Sequence, residues 1–292
     1  MIKKGYYPGC SASGTSKEYE MSVKLVYEAI GIKLQELKDW ICCGSSPAHS
    51  SSLLLADALA LKNLSLAKEQ NLKELIIPCM GCYSRFIFAH HDLQNDGSQR
   101  KNAEEAAGVD YDDEIKGIEI IHPLTYLSEH IDELKSKIKK KAKDLNAVCY
   151  YGCVFTRPPE VTHAKNFEDP TEMDELVKLT GAKVLDWNSK TKCCGASYSI
   201  TNQDISSELC NKILTDAKSV GAELIVVACP LCQGNLDMRQ RQIEEKFNKK
   251  FNIPVVYITQ LLGLALGCSY KEVGLDKEFV GSEELFKNKG LI

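Results

Sequence analysis

An α/β fold built twice over is what this sequence predicts, and three observations predict it. Short β-type runs alternate with helical stretches, the second half of the chain repeats the first, and the cysteines common to both halves follow the ends of the expected strands.

In the first half the β-type runs are residues 2–7, 32–37, 75–78 and 118–122. Helical periodicity fills the intervals, as in residues 16–30, which stop at Gly31, and residues 50–70. Strands separated by helices argue for a parallel sheet covered by helices, joined by right-handed crossovers. Open sheets of this kind place their ligands beyond the carboxyl ends of the strands. The loops carrying Cys10, Cys42-Cys43 and Cys79 would meet at that edge.

The repeat is long and specific. Gly5-Tyr6-Tyr7-Pro8-Gly9-Cys10 is echoed by Cys149-Tyr150-Tyr151-Gly152-Cys153. Asp39-Trp40 followed by Cys42-Cys43-Gly44 returns as Asp186-Trp187 followed by Cys193-Cys194-Gly195. Pro78-Cys79-Met80-Gly81-Cys82 returns as Ala228-Cys229-Pro230-Leu231-Cys232, and Ile120-Ile121-His122-Pro123 is answered by Val255-Val256-Tyr257-Ile258. A chain of 292 residues accommodates two domains of ordinary size. The expected boundaries are residues 1–134 for the first domain, a lysine-rich linker or exposed connecting helix at 135–144, and residues 145–292 for the second.

Composition narrows the class. Apolar residues make up 44% and charged residues 26%, as in ordinary globular proteins, and a net charge of −4 gives no case for nucleic acid or an anionic membrane surface. No apolar run approaches the roughly 18 residues that span a bilayer, and no signal-peptide pattern opens the chain. Membrane insertion is not expected, and the expected location is the cytoplasm. Thirteen cysteines are then the anomaly. The count is odd, two pairs are adjacent and two form C-x-x-C, a grouping that suits metal ligation better than disulfides.

Each half carries five of them: Cys10, Cys42, Cys43, Cys79 and Cys82, then Cys153, Cys193, Cys194, Cys229 and Cys232. Intervals of 31 and 39 residues precede the adjacent pairs, and 35 and 34 residues follow them. Cys79 and Cys229 stand at the starts of helical stretches, where backbone N–H groups favour thiolate and anionic sulfur. An adjacent pair delivers both thiols to one site only where the chain turns sharply, which Gly44 and Gly195 permit. A structural zinc site closes with four ligands, and five thiols fit it poorly. The compact C-x₂-C-x₂-C run of a conventional ferredoxin is absent. Either an unusual cluster or a displaceable fifth ligand satisfies the spacing.

These residues resemble the cysteine-rich CCG domain family over nearly the whole chain, and within it the chain is similar to the B subunits of heterodisulfide reductases from methanogenic archaea. The resemblance implies two tandem CCG domains, each a small parallel sheet with flanking helices. It implies that each five-cysteine set holds a non-cubane 4Fe-4S cluster, and that the disulfide of coenzyme M and coenzyme B is reduced to two thiols between them. Electrons would come from the ferredoxin-like (C) and flavoprotein (A) subunits of such complexes, supplied by a hydrogenase or formate dehydrogenase. Two other classes stay open: an iron–sulfur relay component of another oxidoreductase (of lactate, glycolate or glycerol-phosphate type, or a sulfur-oxidising relative), and a zinc-stabilised binding module.

Arginine is scarce, five residues against 31 lysines, and two arginines follow cluster cysteines closely. Arg85 and Arg157 are candidate substrate contacts, since a guanidinium fork suits sulfonate, phosphate or carboxylate. His49 and His163 are candidate proton donors. His122 is expected to be structural, Trp40 and Trp187 to be core or shielding residues, and Cys149, Cys210 and Cys268 to be apolar fillers outside the ligand sets.

Overall fold

A computed structural model describes residues 2–292. Strands β1 (Ile2–Tyr6), β2 (Ile32–Glu36), β3 (Glu74–Ile76) and β4 (Glu119–Ile121) form a parallel sheet in the order β2-β1-β3-β4. Strands β5 (Asn146–Tyr150), β6 (Lys183–Val184), β7 (Leu224–Val227) and β8 (Val255–Tyr257) repeat it in the order β6-β5-β7-β8. The helices also come in equivalent pairs: α1 (Lys17–Ala29), α2 (Leu53–Glu69), α3 (Met80–Asn95) and α4 (Pro123–Glu129), then α5 (Glu172–Leu179), α6 (Gln203–Ser219), α7 (Pro230–Leu236) and α8 (Ile258–Ala265).

Burial explains the strand sequences. β7 is buried along its whole length and reads Leu-Ile-Val-Val, as a strand covered on both faces must. Helix α1 buries Tyr19, Val23, Val26 and Tyr27, one face at helical spacing, and ends before Gly31 at φ 80°. The expected helix over 50–70 is cut in two. Ser52 is extended at φ −162° and its hydroxyl accepts from Leu55 N at 3.3 Å, so α2 starts afresh at Leu53. A run of serines offers the backbone side-chain partners that compete with helix continuation.

The strand registers align the two halves residue by residue. Tyr6 lies opposite Ile76, and Cys149 lies opposite Val226. Ile76 and Val226 each precede the first cysteine of a C-x-x-C by three residues. Tyr6 therefore matches Cys149, and Tyr7 matches Tyr150; the double tyrosines do not match pair for pair.

The halves share much of their core, and a separate apolar cluster around Tyr7, Leu61 and Phe86 belongs to the first half alone. Helix α1 packs on α8 and α4 packs on α5, an exchange of equivalent elements across a pseudo-twofold relation. Tyr19 stacks on Tyr257 with ring centroids 4.0 Å apart, and Ser22 and Thr259 hydroxyls meet at 2.7 Å. A single apolar cluster runs from Tyr6, Tyr19 and Val23 through Leu124 into β5, β7 and α8. Lysine-rich residues 135–144 are held to the second half, with Lys139 N and Lys140 N donating to Ala265 O and Ala142 N to Thr180 O. Among the described residues no helix is long and apolar enough to cross a membrane.

Candidate metal centres

In each sheet the chain leaves the first strand in one direction and the third in the other, so the loops after β1 and β3 sit side by side at the switch point. Cys10 follows β1, Cys42-Cys43 follow β2, and Cys79 and Cys82 follow β3; the second half places its five in the same way. The adjacent pairs turn as expected. Gly44 has φ 76° and Gly195 φ 72°, and a Cβ on Gly44 would stand 2.5 Å from Ala48 Cβ. Their amides donate back to the first thiol of each pair, Gly44 N to Cys42 Sγ at 3.4 Å and Gly195 N to Cys193 Sγ at 3.3 Å. Cys79 and Cys229 are the N-cap residues of α3 and α7.

The thiols touch within and between the halves. Cys43 Sγ lies 3.1 Å from Cys82 Sγ, Cys194 Sγ 3.5 Å from Cys232 Sγ, and Cys79 is a hydrogen-bonding neighbour of Cys229 across the interface. Protons are shared unequally in these contacts. The hydrogen bond from Cys82 lowers Cys43, and the bond from Cys232 lowers Cys194, while Cys82 and Cys232 are themselves pushed up. Cys193 is lowered to about 6 by its bond with Cys153, and Cys79 is raised to about 12, first by its contact with Cys229. Thiols in contact this close cannot all ionise without added positive charge, because each thiolate raises its neighbours. An electron-poor metal core answers that demand, and the donor set fits one. Among the described residues no three His, Cys, Asp or Glu side chains form a group for a single metal ion.

A cavity of about 220 Å³ opens on the second set and is lined by Cys153, Cys193, Cys194, Cys229 and Cys232, all five of its cysteines. Its opposite wall comes from the first half: Ser45, His49, Met80, Ser84 and Arg85. Arg85 lies over the Phe88 ring at 4.9 Å, and among the described residues no carboxylate is within ion-pair distance of it. His49 Nδ1 is 3.2 Å from Ser45 O. Two of the four sequence candidates thus face the second set from the other half. Arg157 lines a different cavity of about 650 Å³, which reaches Cys153 and Cys193 from outside. Its guanidinium already donates to Thr191 O at 3.1 Å and pairs with Glu168 at 2.9 Å. His163 is the C-cap of a one-turn helix, Pro159–Thr162, and lines neither cavity.

His122 is fully buried between the halves. Its Nε2 donates to Pro78 O at 2.9 Å and its Nδ1 accepts from Leu124 N at 3.1 Å, while burial holds its pKa down at about 4. Trp187 is buried and donates to Cys149 O at 3.0 Å; Trp40 is half-buried. Cys149 and Cys210 are buried, and the Cys210 thiol donates to Cys194 O at 3.3 Å, closer to a ligand set than the sequence suggested. Sequence reasoning missed Ser45 and Ser84, which become cavity residues only because α3 of one half faces the loops of the other.

Two parallel sheets with a five-cysteine set at each carboxyl edge define a tandem cysteine-rich α/β fold. The cysteine-rich CCG domain model matches residues 5–87 and 147–237, and the chain belongs to that family. It is 31% identical to the B subunit of the ferredoxin:CoB–CoM heterodisulfide reductase of Methanosarcina mazei, over 97% of this chain and 96% of that one. It is 30% identical to the membrane anchor subunit of the 8-methylmenaquinol:fumarate reductase of Wolinella succinogenes, over 96% of this chain and 98% of that one. Among solved structures, a hypothetical protein from Helicobacter pylori shares the fold, with a TM-score of 0.73 at 14% identity over 96% of this chain and 52% of that one.

Proposed function

We propose that this chain is the catalytic subunit of a heterodisulfide reductase, reducing a small disulfide with anionic arms, of the class of the coenzyme M–coenzyme B disulfide, to two thiols. Cys10, Cys42, Cys43, Cys79 and Cys82 would hold one 4Fe-4S cluster, and Cys153, Cys193, Cys194, Cys229 and Cys232 the other. The observation that carries this reading is the cavity: one five-cysteine set faces a guanidinium supplied by the opposite half and free of carboxylate partners among the described residues. Touching thiol pairs around a 220 Å³ space suit a body of several metal atoms better than a single ion.

A bound cluster supplies electrons one at a time at the sulfur pair. The chain's own residues do the rest. Arg85 binds an anionic arm of the disulfide, with a fork that one sulfonate or carboxylate satisfies. Met80, Val154 and Leu231 give apolar walls that exclude water, and Ser45 and Ser84 offer hydroxyls to the polar arms. Cleavage consumes two electrons and two protons per disulfide, and His49 at the cavity wall is the proton donor within reach. Arg157, held by Glu168, orders the outer loop rather than binding substrate. The electrons come from two partner proteins, one ferredoxin-like and one flavin-bearing, in the cytoplasm.

A second reading is an electron-relay role in a quinol-linked reductase, favoured by the full-length likeness to the Wolinella succinogenes protein. The test is anaerobic turnover of the purified complex, with a reduced viologen as donor. Disulfide cleavage whose KM rises when Arg85 is replaced supports the first reading. Electron transfer to a quinone-linked acceptor with no disulfide cleavage supports the second.

A further inference from the structure

Tyr7 and Tyr150 occupy equivalent positions and do the same thing. Tyr7 Oη donates to Ile41 O at 2.7 Å, and Tyr150 Oη donates to Lys192 O at 2.6 Å. Each acceptor is the carbonyl directly before an adjacent cysteine pair, Cys42-Cys43 in one half and Cys193-Cys194 in the other. Both tyrosines are buried, at 0% and 1% exposure, on the strand end that leads into the loop of the first cysteine.

The rings also reach the third cysteine loop. A Cβ added to Gly9 would stand 3.3 Å from the Tyr7 ring and 3.0 Å from Cys82 Sγ; one added to Gly152 would stand 3.8 Å from the Tyr150 ring and 3.2 Å from Cys232 Sγ. Ring, glycine and C-x-x-C thiol are therefore packed together in both halves. A tryptophan closes the outer side edge-on, Trp40 at 5.4 Å from Tyr7 and Trp187 at 6.1 Å from Tyr150. A phenol that donates to a backbone carbonyl is ordinary in a core. A phenol that does so twice, at equivalent places, to the peptide before a cysteine pair, is a part of the site's construction.

We propose that Tyr7 and Tyr150 are positioning residues, each tying the three cysteine-bearing loops of its half together and fixing the turn from which the adjacent pair presents its thiols. The inference rests on the ten cysteines being cluster ligands, as proposed above. Each phenol donates to a carbonyl, which only the protonated hydroxyl can do. Removing the hydroxyl leaves the carbonyl before the pair without its partner and frees the turn, while the ring still fills its space.

The experiment uses the full chain as Tyr7→Phe and Tyr150→Phe, with Tyr111→Phe as a control for loss of a buried phenol elsewhere. In the iron-free protein, hydrogen exchange at residues 41–44 should speed up roughly fivefold in Tyr7→Phe, the loss of one ordinary hydrogen bond, with residues 192–195 unchanged. Tyr150→Phe should show the converse, and Tyr111→Phe neither. After loading with iron and sulfide, each variant should alter the paramagnetic signature of one site only. Wild-type exchange at both turns and unaltered spectra would overturn the proposal, as would acceleration spread over the whole half. If one variant does not fold, the other decides. Failure of the wild-type chain to take up iron would overturn the function proposed above, while the exchange data would still decide the clamp.

Discussion

Cys43 Sγ stands 3.1 Å from Cys82 Sγ, bringing the second thiol of an adjacent pair against the second thiol of a C-x-x-C 39 residues away. The equivalent sulfurs, Cys194 and Cys232, are 3.5 Å apart. A disulfide needs about 2.05 Å, so either pair is a shift of an ångström or so from bonding. Mild oxidation of the iron-free protein should therefore join Cys43 to Cys82 and Cys194 to Cys232, alongside Cys153 and Cys193, whose thiols also touch, and iron loading should prevent all of these. Peptide mapping under non-reducing conditions checks this. Random pairing, or the same pairs formed in the loaded protein, would remove these six from the ligand sets.

Metal content follows from the donor sets. Two four-iron clusters give about eight irons and eight sulfides per chain, and Cys43→Ala or Cys194→Ala should each remove about half. Cys268→Ala should leave the count unchanged. Cys210→Ala loses its bond to Cys194 O and leaves a small cavity, so a slightly lower melting temperature with full iron is expected. One zinc with about four irons would make one half a structural module.

The parallel sheets, the repeat and the gathering of the cysteine-bearing loops at the sheet edges were legible because period and loop position follow from local pattern. What was not legible depends on how the halves pack. Arg85 and His49 lie beside cysteines of the opposite half, and no spacing within a repeat announces that. The break at Ser52 was hidden because residues 50–70 keep helical periodicity across a serine whose side chain caps the next turn. The match of Tyr7 with Tyr150 was obscured by the double tyrosines, and only the ladder register separates them.

Arg85 should govern affinity rather than electron delivery. Arg85→Gln removes the cation facing the cavity and should weaken binding of an anionic disulfide roughly 10- to 100-fold, the range of a charged hydrogen bond. Arg85→Lys should recover part of it, since the charge returns without the fork. Iron content and spectra should match wild type in both. KM and kcat measured with disulfides of differing charge check this; equal loss for neutral and anionic disulfides would count against anion recognition.

Glu278 predicts a pH dependence of stability. It is half-buried against Asp237, with Gln260 Nε2 donating to Oε1 at 2.8 Å and Gln233 Nε2 donating to the other oxygen. Asp237 is held by Phe279 N at 2.8 Å and Val280 N at 3.0 Å, and its carboxyl faces those of Glu278 and Glu18. Burial first, then Asp237 and Glu18, raise Glu278 to about 9. An unfolded glutamate titrates near about 4.3, so between those values the folded chain keeps a proton that the unfolded chain has released. The stabilisation is full below the unfolded value and is lost as pH rises towards 9, at no more than about 1.4 kcal/mol per pH unit. Glu278→Gln keeps the shape and the donor of the protonated acid and cannot ionise. Its urea midpoint should change less than that of wild type between about pH 6 and pH 9, and the gap should favour the variant at the alkaline end. Parallel curves for the two proteins at equal iron content would show that Glu278 holds no proton in the folded chain.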